Sequence, residues 1–162
     1  MAWQTKKLSE VSETKIKESL HNALGSLYKN DAFLLKHSAH ERSITHKLAE
    51  YLQQQFLDWN VDCEYNLHGI NTKKLPRECG YEYKELVYPD IIIHSRGENL
   101  NLLVIEAKLN KFTRVNGCDH VKLVEFTGQN GDYKYRFGVF IGFDGLNVPK
   151  IMWYQDGKVV KL

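Results

Sequence analysis

LVYPDIIIHSRGENLNLLVIEAK, residues 86–108, is the stretch on which the reading of this 162-residue chain turns. Two dense apolar runs, 86–93 and 100–108, flank the turn-rich hexapeptide HSRGEN at 94–99, and the pattern spells a β-hairpin. Both runs carry charge where a buried strand should carry none: Asp90 in the first, Glu106 and Lys108 in the second. Antiparallel pairing about Gly97 and Glu98 sets Ile91 opposite Ile105, Ile92 opposite Val104 and Asp90 opposite Glu106. Period-two alternation then puts Asp90, Glu106 and Lys108 on one face and turns the side chain of Ala107 to the other, with its backbone carbonyl beside the charged group.

Ionised side chains are costly to bury, and a buried ion network offers no stability advantage over apolar packing. Three such residues in strand cores therefore point to chemistry. Two carboxylates and a carbonyl offer hard oxygen ligands suited to Mg²⁺, with Mn²⁺ able to substitute, and water completing the octahedron. Lys108 is placed to orient an attacking water or to stabilise charge developing on a phosphoryl group. Pro89 suits a strand edge where such a site opens.

Towards the amino terminus, residues 12–28 place Ile16, Leu20, Ala23, Leu24 and Leu27 at helical spacing, with Ser12 as a cap. A short link holding Asn30 and Asp31 leads to a second helical segment, 38–59, in which Ile44, Leu48, Tyr51, Leu52 and Phe56 recur at three and four. Glu41 falls on the same stripe as Ile44, Leu48 and Leu52, so it points inward and becomes a fourth candidate for the site. Glu50 falls on the outer face with His46, Lys47, Gln53 and Gln54. Residues 61–67 read as a strand in which Glu64 could also approach the site. The following stretch, 68–86, reads as a long loop, whose Lys73, Lys74, Arg77 and Lys84 alternate with Tyr81 and Tyr83 as they would along a nucleic-acid backbone.

Towards the carboxyl terminus, residues 119–127 read as a helix with Val121, Leu123, Val124 and Phe126 on its apolar side and Lys122 among them. Residues 133–143 alternate as a strand. A last pair of strands, 150–154 and 158–162, brackets Asp156-Gly157, a hairpin-turn signal.

The composition, 43% hydrophobic and 26% charged, is that of one globular domain spanning 1–162. Cys63, Cys79 and Cys118 are odd in number and widely spaced, which excludes a readable disulfide framework or zinc pair. A net charge of +2 does not by itself announce a nucleic-acid partner. No apolar run is long enough for a membrane span and no leader is evident, so a cytoplasmic protein is expected.

Pro89-Asp90, a hydrophobic gap and then Glu106-Ala107-Lys108, preceded by a helix bearing Glu41, resembles the PD-(D/E)xK nuclease superfamily. The resemblance spans about 38–143 and implies an α/β fold with a restriction-endonuclease-like core. That core is a mixed central sheet flanked by helices in the order α-β-β-β-α-β, with 1–37 as a helical elaboration and 144–162 as a terminal hairpin. It further implies Mg²⁺-dependent hydrolysis of DNA, with RNA left open, and metal held by Asp90, Glu106, the Ala107 carbonyl and Glu41. Lys108 would position water, and Lys122 would sit where the family often adds a polar residue. A homodimer would let two sites cut both strands. The competing expectations are an inactive nuclease-like domain that holds nucleic acid or a protein partner, and a subunit of a defence or repair complex.

Overall fold

The computed structural model describes residues 8–65, 67–68, 71–72, 88–109 and 117–162. The chain is an α/β protein built on a mixed six-stranded sheet flanked by helices. In chain order it runs α1 (Glu13–Asn30), α2 (Ala32–Lys36), α3 (Glu41–Gln55), β1 (Asn60–Cys63), β2 (Leu67–His68) and β3 (Asn71–Thr72). There follow β4 (Ile91–Ser95), β5 (Leu100–Leu109), α4 (Gly117–Thr127), β6 (Phe137–Phe143), β7 (Lys150–Gln155) and β8 (Lys158–Val160). The large sheet has the order β1-β4-β5-β6-β7-β8, antiparallel throughout except for β5 and β6, and β2 with β3 forms a separate small hairpin. A parallel pair needs a crossover, and α4 lies within the connection that makes it. Among the described residues no helix is long and apolar enough to cross a membrane.

Helix α1 starts where its sequence says it should. The Ser12 hydroxyl accepts a hydrogen bond from the Lys15 amide (3.1 Å), and Ile16, Leu20, Ala23, Leu24 and Leu27 are all buried. These residues share one core with Ile44, Leu48 and Leu52 of α3 and with the odd-numbered face of the sheet, including Ile91, Ile93, Ile105 and Ala107. On the other face α4 lays Leu123 and Phe126 over Ile92, Val104, Phe140 and Tyr154. Close approach of α4 depends on Gly138, since a Cβ there would stand 2.9 Å from Cγ2 of Thr127 and 3.1 Å from Cδ2 of Leu123.

Several boundaries move from those read in the sequence. The helix expected over 38–59 ends at Gln55, and the link before it contains the short helix α2. Gln53, expected on the outer face, instead spans the turn that follows the helix. Its amide nitrogen donates to the carbonyls of Phe56 (3.0 Å) and Trp59 (2.9 Å), and its oxygen accepts from the Val61 amide (3.1 Å). One side chain thus holds three backbone groups of the segment that follows the helix, while Phe56 and Trp59 turn into the core. Strand β1 stops at Cys63 because Glu64 takes a left-handed conformation (φ 47°), which ends the ladder.

Strand β4 begins after Asp90, and it runs on through His94 and Ser95, where the sequence pattern predicts a turn. It lies between β1 and β5, so Pro89 precedes a central strand and does not mark an edge. The strand read over 133–143 begins only at Phe137. Tyr133 and Tyr135 pack edge-on against Phe126, and the Tyr135 amide bonds to the Phe126 carbonyl (2.8 Å). All seven residues of β6 are buried, as suits a strand covered on both faces, so no alternation survives in its burial. The final hairpin turns at Asp156 (φ 48°) and Gly157 (φ 69°), the paired left-handed geometry that Asp-Gly favours.

Gln53→Ala removes three hydrogen bonds at the junction of α3 and β1. We expect a loss of about 1–3 kcal/mol in chemical denaturation, and a Gln53→Glu protein, which lacks the donor, should lose stability as well.

Candidate functional site

The site is positioned by the register of β4 on β5. Ile91 faces Ile105 and Ile92 faces Val104, as expected, and Ile93 faces Leu103. The turn itself closes one residue out of that register, with Ser95 opposite Leu100 and His94 opposite Asn101. Leu102 is the extra residue, and this one-residue bulge shifts everything beyond it. Without it Asp90 would be aligned with the opposite face from Glu106.

Asp90 stands one residue ahead of β4. Its Oδ2 accepts a hydrogen bond from the Ala107 amide (2.7 Å), and its carbonyl accepts one from the Glu64 amide (3.1 Å). Both backbone groups of a strand residue face the same edge, so the Ala107 carbonyl faces the edge of β5 that β4 leaves uncovered. Glu106 turns under α4, where Lys122 Nζ lies 3.0 Å from Oε2. Glu106 is 1% exposed, and its Oε1 has no hydrogen-bond partner among the described residues. Lys108 Nζ lies 3.9 Å from Oε1 of Glu41 at the start of α3 and 3.9 Å from Oδ1 of Asp119 in the first turn of α4. Helices from both faces of the sheet thus meet at its carboxyl-terminal end of β5.

Glu41, Asp90, Glu106, Lys108 and Lys122 are therefore brought into one electrostatic group. Glu64 lies beside it through its backbone, while its carboxylate pairs with Arg42 (2.9 Å). Glu50 stays on the outer face with His46 and Lys47. Lys73, Lys74, Arg77 and Lys84, with Tyr81 and Tyr83, lie outside the described residues. Asp119 is the member that the sequence reading missed. It lies three, four and seven residues before Lys122, Leu123 and Phe126, so the helical-stripe argument that selected Glu41 would have selected it too.

Burial pushes the Asp90 carboxyl up to about 6; nearby Glu41 adds to the rise, while the Ala107 amide, Lys122 and Lys108 oppose it. Burial and the neighbouring Asp90 hold Glu106 well above the usual glutamate range, and burial also raises Asp119. Burial pulls Lys122 down, but Glu106, Asp90 and Asp119 together outweigh it and leave the ammonium more basic than usual. Among the described residues four carboxylates, Glu41, Asp90, Glu106 and Asp119, gather around two ammonium groups, Lys108 and Lys122, so negative charge is in excess. Asp90, Glu106 and the Ala107 carbonyl match Mg²⁺ or Mn²⁺ in donor type, and the orphaned Oε1 of Glu106 is a free ligand atom. Among the described residues no three His, Cys, Asp or Glu side chains are already arranged around a common metal position.

Because the folded protein raises the Asp90 pKa, its stabilising contribution is full below the unfolded value near 4 and is lost as pH rises through about 6. The metal-free protein should therefore be more stable at pH 5 than at pH 7, by about 1 kcal/mol from Asp90 alone. Thermal melts of wild type and Asp90→Asn across this range check it, the variant giving the flatter profile.

Comparison with models of known protein families, with characterised proteins and with solved structures finds no match.

Proposed function

We propose that the chain is a metal-dependent nuclease of the PD-(D/E)xK type, hydrolysing phosphodiester bonds in DNA on a restriction-endonuclease-like core. The observation that carries this reading is the tie of Asp90 to the Ala107 amide, which sets its carboxylate near enough to Glu106 on the adjacent strand to raise its pKa, with Glu106 buried, one of its oxygens orphaned, and Lys108 at the rim. The order α3, β1, β4, β5, α4, β6 supports the core, including its parallel β5–β6 pair.

Asp90, Glu106 and the Ala107 carbonyl would hold the metal. When bound, Mg²⁺ would neutralise the two carboxylates, polarise a phosphoryl oxygen and make a bound water more acidic. The chain's own residues do the rest. Lys108, about one-third exposed, keeps its ammonium between Glu41 and Asp119 and presents it to water and to the phosphate oxygens. Water attacks phosphorus in line with the leaving oxygen; that oxygen departs as the 3′-hydroxyl after taking a proton, and the phosphate stays on the 5′ side. Asp90 fixes the geometry through the Ala107 amide, which ties the carboxylate to the strand that bears Glu106 and Lys108.

One observation favours a second reading, in which the same fold holds nucleic acid or a protein partner without cutting. Glu106 already has a cationic neighbour in Lys122. Metal titration and a cleavage panel of linear, nicked, single-stranded and branched DNA, with RNA, separate the two.

Asp90→Asn and Lys108→Ala should each retain the circular-dichroism spectrum of the wild type and lose at least about 100-fold in Mg²⁺- or Mn²⁺-dependent cleavage. Undiminished cutting by either variant would overturn the assignment.

A further inference from the structure

Lys122 occupies a position that the proposed hydrolysis does not use. It projects from α4, one turn beyond Asp119, and its ammonium is drawn to three carboxylates at once. It is 3.0 Å from Glu106 Oε2 and close enough to Asp90 and Asp119 for each to feel its charge. Its side chain is 17% exposed, so the contact is only weakly screened by solvent.

The Lys122 ammonium holds one oxygen of buried Glu106, while the other has no partner among the described residues. A lysine carries its charge on a four-carbon stem, a compact charge that can withdraw towards solvent when a stronger cation arrives. A divalent ion bound through the orphaned Oε1 would lie on the same carboxylate as the ammonium, and the two like charges would repel.

We infer that Lys122 is a resident cation: it occupies the Glu106 carboxylate while the site is metal-free and, by competing for the same oxygens, keeps the affinity for divalent metal low. This rests on the metal-dependent reading of the site. Lys122 thus sets the metal concentration at which the site fills, and Lys108 keeps the separate task of handling water.

Calorimetric titration of the metal-free protein with Mn²⁺ alone, in the absence of nucleic acid, tests this. Lys122→Gln keeps a hydrogen-bond donor for Glu106 and removes the charge, and Lys122→Met removes both, so the pair remains informative if the second folds poorly. Lys122→Gln should bind Mn²⁺ at least about tenfold more tightly than wild type, and Lys122→Arg should bind as wild type does. The Lys122→Gln and Lys122→Met proteins should also melt at lower temperature than wild type without metal and gain more from added Mn²⁺. Equal or weaker Mn²⁺ binding by Lys122→Gln, with wild type still binding, overturns the role of Lys122 and leaves the metal site standing. Absence of Mn²⁺ binding in every protein overturns the metal site itself, and the inference with it.

Discussion

The pairing of β4 with β5 is the constraint from which the rest of the site follows. Side chains alternate along a strand, so a slip of one residue would exchange the faces of the sheet. The hairpin turn alone sets a register that carries Asp90 away from Glu106, and the bulge at Leu102 corrects it. Both Leu102 and Leu103 then enter the core beneath α1 and α3, while Asn101 on the other face bonds to the Tyr133 carbonyl (2.6 Å). The two apolar neighbours hold the bulge in place, and the bulge holds the carboxylates together.

What collects around that register is a concentration of like charge that folding alone would disfavour. Asp90, Glu106 and Asp119 all have raised pKa values, chiefly through burial, and the lysines that answer them come from different elements. Lys108 continues the strand that bears Glu106, and Lys122 reaches over from α4. Gly138 sets how near α4 can lie, so a residue without a side chain on β6 governs how well Lys122 can reach Glu106. Removing Lys122 would leave Glu106 buried without its charged partner, a change that costs more than the pair itself contributes.

Away from this end of the sheet the charges are arranged for stability. Asp62 on β1 bonds to buried His94 (2.7 Å) and to Arg96, tying the edge strand to β4. Arg96 holds the Asp62 carboxyl below its usual range against the opposing effect of burial, assisted by His94. The contrast is one of balance: at Asp62 the hydrogen-bonded partners outweigh burial, and at Asp90 burial outweighs its partners. Asp62 is met by two groups at hydrogen-bonding distance, whereas Asp90 receives one backbone amide and only distant ammonium groups.

Much of this was legible in the residues themselves. Helical spacing identified the buried stripes of α1 and α3, including Glu41 at the margin of the second, because one apolar face is enough to define a helix. Charge within apolar strands singled out Asp90, Glu106 and Lys108, because ionised groups in such places need a compensating reason. The ends of elements were less legible: α3 stops where Gln53 reaches forward across the chain, and β1 stops where Glu64 turns left-handed. The bulge at Leu102 left no sign within the apolar run of residues 102–105. Local pattern thus determined which residues are buried and which charges are out of place. Only the tertiary structure decided that Asp119 meets Lys108 and that Lys122 meets Glu106, because whether a helical side chain reaches a strand residue depends on how closely the helix packs and on the register beneath it.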